Sequence, residues 1–191
     1  MTSPWTGSRR WPIAAYDRLY RWLHRLDRPG ARVGPVVRLR VRASRRTLVL
    51  RDGTVIRPTD SIGVIHLDNE RVAAALHGDG RGSQAIGLDF RRQFVASLRE
   101  LAVLSDPDRS LAHVRAFGAT TIFHHGLARL GFAPARDGSR GSVLAGTYQR
   151  ALLASLRPAG PVRRSAPLRR RARQLWVSRA ELRARFRDAG R

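Results

Sequence analysis

The chain has 191 residues, with 37 Arg and no Lys against 14 Asp and Glu, for a formal net charge of +23. A hydrophobic share of 42% suits one domain with a core and excludes wholesale disorder, and the absence of Cys excludes disulfides, thiolate nucleophiles and Cys-ligated metals. A GC-rich genome explains Arg in place of Lys but not 37 bases against 14 acids. That excess predicts an anionic partner, whether a lipid surface, an acidic polymer or nucleic acid, with a strongly solvated surface as the competing reading.

The N-terminus carries the pair Arg9-Arg10 without a following apolar run, so it does not read as a cleaved signal. No apolar stretch reaches the ~20 residues of a spanning helix. The expected place is the cytoplasm, with peripheral attachment to the inner face of the membrane. Pro12 suits a first helical turn, and Ile13, Tyr16, Leu19, Tyr20, Leu23 and Leu26 then form one stripe opposite Arg18, Arg21 and Arg25. This predicts an amphipathic helix over 12–27, stopped by Pro29 and Gly30. With Trp5, Trp11 and Trp22 as membrane-facing candidates it fits an interfacial helix, and a helix docked on a core has the same period.

Alternation from Val36 to Val41 puts Val37, Leu39 and Val41 on one side and Arg38, Arg40 and Arg42 on the other. Further strands are predicted over 47–50, 54–56 and 61–67, separated by an Arg51-Asp52-Gly53 turn and a Pro58 to Asp60 turn. Asp68 or Asn69 then caps a short helix through Leu76, ended by Gly78. A longer helix over 85–104 places Phe90, Phe94, Leu98 and Leu101 on one face. Thr120, Thr121 and Ile122 predict a strand over 114–123 followed by a helix over 124–130 capped by Gly131, with one continuous helix over 108–130 as the alternative. Residues 134–145 read as loop, 146–157 as helix and 158–174 as a Pro- and Arg-rich connector. Ser178-Arg179-Ala180-Glu181 is a capping box with a Val177–Leu182 staple, which predicts a terminal helix over 179–187.

The organisation is an arm and amphipathic helix over 1–34, a core over 35–157, and a basic connector with a C-terminal helix packing on that core over 158–191. The fold class is α+β, with a small, mainly antiparallel sheet.

Polar residues crowd most closely between Asp52 and Val72. In an extended strand His66 and Asp68 share a face while Ile65 and Leu67 point to the core, so an imidazole and a carboxylate stand together. With Asn69 and Glu70 they form a candidate polar site, able to pair a base with its orienting group; the plainer alternative is a helix cap beside a hydrogen-bonded histidine. His124 and His125 are adjacent and so do not make an i, i+4 ligand pair; no HExxH or EF-hand pattern occurs, and no metal site is expected. The phosphate-cradling GxxxxGK[ST] loop needs a Lys, and Gly78-Asp79-Gly80-Arg81-Gly82 is not GxGxxG. No cofactor is expected. Arg163, Arg164, Arg169, Arg170, Arg171 and Arg173 are the densest basic run and form the candidate anion-binding segment, since guanidinium forks suit phosphate and carboxylate.

Leu48 to Gly53, Ile62-Gly63 through His66-Leu67-Asp68-Asn69, Thr121-Ile122-Phe123, Arg129-Leu130-Gly131-Phe132 and Leu175-Trp176-Val177-Ser178 together resemble the YkoP-like family of bacterial proteins over residues 35 to 187. The resemblance implies a domain without an established activity that occurs beside polysaccharide deacetylases and glycosyltransferases. The expected function is a non-enzymatic accessory or binding module at an anionic surface, linked to envelope polysaccharide or glycolipid metabolism, with such an enzyme as partner. The alternatives are a nucleic-acid-binding protein and a small enzyme using His66 and Asp68.

Overall fold

The structure, a computed structural model, describes residues 22, 27–28, 30–68, 71, 83–136 and 172–187. In chain order these form β1 (Arg32–Val33), β2 (Val37–Ala43), β3 (Leu48–Val49), β4 (Val55–Ile56), β5 (Ser61–Leu67), α1 (Ser83–Leu104), β6 (Ala116–Thr121), α2 (His124–Arg129), β7 (Arg173–Ser178) and α3 (Arg179–Phe186). The main sheet runs β1-β2-β5-β6-β7, and β3 with β4 makes a separate two-stranded hairpin. Neighbours are antiparallel except β5 and β6, which are parallel and therefore need the long crossover that contains α1. The chain is α+β with a mainly antiparallel sheet.

Period-two alternation gives the sheet two different faces. Val37, Leu39, Ile65, Phe117, Ala119, Leu175 and Val177 point to one side and bury Phe94, Leu98 and Leu101 of α1 with Leu182 and Phe186 of α3. On the other side Ile62, Ala116 and Trp176 meet Leu48, Leu50 and Ile56 of the hairpin. Glycines admit close approach on each face. A Cβ at Gly63 would stand 2.5 Å from the Phe117 ring, and one at Gly118 would stand 2.6 Å from the Trp176 ring. Both contacts cross between neighbouring strands, where an aromatic ring lies over the bare backbone.

Helix α1 is pressed onto the β1–β2 turn. Gly34 has φ +63, and a Cβ there would fall 2.6 Å from Ser97 Cα, while the Val36 N–H donates to Ser97 Oγ at 3.2 Å. At the far end of the chain Ser178 caps α3 by accepting from the Glu181 N–H at 3.0 Å. Val177 and Leu182 lie in one buried cluster, as the staple predicts. Burial pushes the Asp52 carboxyl up, but hydrogen bonds from Ser178 and Thr54 outweigh it and hold the group below its ordinary pKa. That contact ties the hairpin tip to the start of α3.

Residues 114–130 form strand plus helix, not one helix: β6 ends at Thr121, and α2 closes at Gly131, φ +96, which donates to the Ala128 carbonyl. The expected connector over 158–174 extends too far, because Arg173 and Gln174 already belong to β7. Arg-Gln at its start masks a strand whose next three residues, Leu175 to Val177, are all buried because both faces of the sheet are covered here. The helices expected over 12–27, 69–76 and 146–157 lie outside the described residues, apart from Trp22, Asp27 and Arg71.

Two predictions follow from backbone geometry. Gly118→Ala should cost about 1–3 kcal/mol by overpacking against Trp176, whereas Gly87→Ala in α1, with nothing within 4 Å of its Cβ position, should gain about 0.5–1 kcal/mol; denaturant unfolding of both variants checks the contrast. Thr59 has φ 75 in the turn closed by the Asp60 N–H to the Arg57 carbonyl at 3.1 Å, a position that favours Gly after Pro. Thr59→Gly should therefore raise stability by about 1 kcal/mol, the relief of strain exceeding the entropy of the added glycine, and thermal unfolding measures it.

Candidate anion-binding site

The register of β2 against β5 sets Arg38 opposite His66, and Asp68 follows on the same face two residues later. His66 and Asp68 thus share a face, as their spacing predicts, but the carboxylate is not held by the imidazole. Asp68 is 2% exposed. Its Oδ2 lies 3.1 Å from Arg38 Nε, 3.7 Å from Arg32 Nη2 and 4.0 Å from Arg71 Nε. Its Oδ1 accepts from the Arg71 backbone N–H at 3.4 Å, a capping contact. The backbone takes part too, since the Asp68 N–H donates to the Val36 carbonyl at 2.8 Å.

Arg38 is itself only 6% exposed, on the same face of β2 as the half-buried Arg40 and Arg42. A buried guanidinium needs carboxylates, and Arg38 has two, since its Nη1 donates to Asp27 Oδ1 at 2.8 Å. The alternation was visible in the sequence; the partner was not, because Asp68 lies 30 residues away and is brought alongside only by strand pairing.

A second cluster sits toward the other end of β2. Arg40 and Arg42 project from the strand, and Arg45 and Arg46 follow in the link to β3. Burial lowers the pKa of Arg42, and so do the charges of Arg40, Arg45 and Arg46. Arg42 donates to the Ala43 carbonyl at 3.1 Å and Arg46 reaches Gln174 Oε1 at 3.2 Å. Among the described residues no carboxylate lies within salt-bridge distance of Arg42, Arg45 or Arg46. Elsewhere acids are shared: Asp60 meets Arg115 at 3.3 Å, and Asp106 holds both Arg183 and Arg187.

The other expected site residues are dispersed or fall outside the described residues. Arg173 is exposed at the start of β7, opposite Thr121, and Trp22 is exposed. Asn69, Glu70, Arg163, Arg164, Arg169, Arg170, Arg171, Trp5 and Trp11 lie outside the described residues. The His124 and His125 rings lie with centroids 4.2 Å apart, their planes tilted by 51°. Among the described residues no group of three or more metal-ligating side chains is placed to hold an ion, and no helix is long and apolar enough to cross a membrane.

A family model, the YkoP domain, matches residues 10–186, and the chain belongs to that family. No curated protein matches the chain, and no solved structure does.

Removing the central carboxylate separates its two roles. Loss of a cap alone costs about 0.5–2 kcal/mol, whereas a buried charge stripped of its partner costs about 3–5 kcal/mol. Asp68→Ala should fall in the higher range and His66→Ala well below it, as read from unfolding midpoints of the two variants.

Proposed function

We propose that this member of the YkoP family is a non-enzymatic binding module that docks on an anionic lipid surface. The observation that carries the reading is the group Arg42, Arg45 and Arg46: none has a carboxylate within salt-bridge distance among the described residues, and burial together with the charges of Arg40, Arg45 and Arg46 lowers the pKa of Arg42. An anionic surface supplies the missing charge, with each basic residue near it contributing about 1 kcal/mol. The net charge of +23 adds long-range attraction. The setting in envelope polysaccharide or glycolipid metabolism, beside a glycosyltransferase or polysaccharide deacetylase on the inner face of the membrane, rests on the family resemblance alone.

The enzymatic alternative has the Asp68 carboxylate orient His66. The hydrogen bonds accepted by Asp68 come from Arg38 and Arg71 instead, which favours a binding role for this region.

Vesicles of phosphatidylglycerol mixed with phosphatidylcholine should bind the protein far better than phosphatidylcholine alone, with affinity falling as salt rises. Replacing Arg42, Arg45 and Arg46 together by Gln should weaken vesicle binding roughly a hundredfold. Equal binding to neutral vesicles removes the membrane reading. Tight binding of mixed-sequence DNA at physiological salt, with vesicles unbound, replaces it with the nucleic-acid reading.

A further inference from the structure

Three guanidiniums surround the single buried oxygen Asp68 Oδ2 within 4.0 Å. Of these, Arg38 is buried and doubly engaged, by Asp68 and by Asp27. Arg32 and Arg71 are different: their side chains are 52% and 46% exposed, and among the described residues each meets the Asp68 carboxylate alone. Arg71 donates from Nη1 to the Pro35 carbonyl at 3.0 Å. Arg32 approaches Asp68 at 3.7 Å, beyond good hydrogen-bond length.

Measured against a well-packed apolar pair, a buried ion pair gains little stability, because its desolvation offsets the attraction, although removing one partner alone is costly. What Asp68 does achieve is orientation. It draws two exposed forks to within 4.0 Å of one oxygen, Arg71 being held further by the Pro35 carbonyl, and it is itself anchored to the backbone through the Val36 carbonyl and the Arg71 N–H. Guanidinium forks bind phosphate oxygens in pairs, and prior fixing reduces the entropy lost on binding.

We propose that Arg32 and Arg71 form a binding site for a phosphate monoester, whose two negative charges match the two forks, with Asp68 as the positioning group and the Asp68–Arg38 pair left intact on binding. The site is distinct from the Arg42, Arg45 and Arg46 patch. Arg38 and Arg42 are four residues apart along β2, about 13 Å at strand rise, and the two groups have no residue in common.

The test uses the whole protein and inorganic phosphate as probe, with chloride at equal ionic strength as reference. Phosphate should raise the thermal unfolding midpoint saturably. Arg32→Gln and Arg71→Gln should each weaken the apparent affinity about ten- to a hundredfold, the loss expected for hydrogen bonds to a charged group, while Arg99→Gln, at an exposed position of α1, leaves it unchanged. Arg32→Lys, which keeps the charge without the fork, should recover only part of it. Phosphorus NMR line broadening reads the same affinities on the folded variants, independently of stability.

Arg99→Gln weakening phosphate as much as Arg32→Gln, or no response of the unmodified protein in either measurement, overturns the site. Acetate acting as strongly as phosphate reassigns it to carboxylates and overturns the phosphate assignment. Vesicle binding that survives in Arg32→Gln but fails in the Arg42, Arg45 and Arg46 variant keeps this inference separate from the membrane reading.

Discussion

Fourteen carboxylates cannot neutralise thirty-seven guanidiniums, so the placement of acids decides where charge is tolerated in the fold and where it is left over. Each well-placed acid serves more than one purpose. Asp68 faces Arg32, Arg38 and Arg71 while capping the chain after β5. Asp106, just beyond α1, holds Arg183 and Arg187 at α3. Asp60 closes the Arg57 turn through the Arg57 N–H and takes Arg115 before β6. All three lie where separate elements meet, and there a shared carboxylate lets arginine-rich segments approach without mutual repulsion.

The sheet accounts for the rest of the geometry. One face is closed by α1 and α3, and the other is closed in part by the hairpin, so the strands between them have no fully wet side. Glycines at 63 and 118 let Phe117 and Trp176 lie flat on neighbouring strands. The arginines of β2 share the hairpin's face of the sheet: the register places Arg42 beside Ile62, in the apolar hairpin contact, and Arg38 beside His66. Apolar cover and polar site are thus consecutive stretches of the same strands.

Much of the architecture was legible in local pattern. The face of α1, the Asp52-Gly53 turn, the Gly131 stop and the Ser178 cap each depend on residues within a few positions of one another, where spacing and propensity speak directly. What stayed hidden depends on long separations. Strand β7 carries the near-continuous apolar run of a two-sided burial behind a polar start, so it reads as the end of a basic connector. The Asp68 site was half visible: the shared face of His66 and Asp68 follows from period two, but the strongest partner, Arg38, sits across a strand pairing that no local signal announces. Arg40, Arg42, Arg45 and Arg46 stand close in sequence, on a strand and the link after it, but local pattern does not show which of them lack a carboxylate partner.

The two basic groups illustrate why charge density alone does not identify a site. Around Asp68 the positive charges are held by a carboxylate, and the structure gains order from them. Around Arg42 no such partner stands among the described residues, and the fold carries a burden there: a base whose folded-state pKa is lowered is less comfortable charged in the folded chain than in the unfolded one. Burial and then neighbouring guanidiniums cause that lowering, and the repulsion among the guanidiniums is relieved when an anion occupies the patch. By linkage, any ligand that relieves a cost of the folded state binds that state preferentially, so a patch left uncompensated among the described residues gains from an anionic partner.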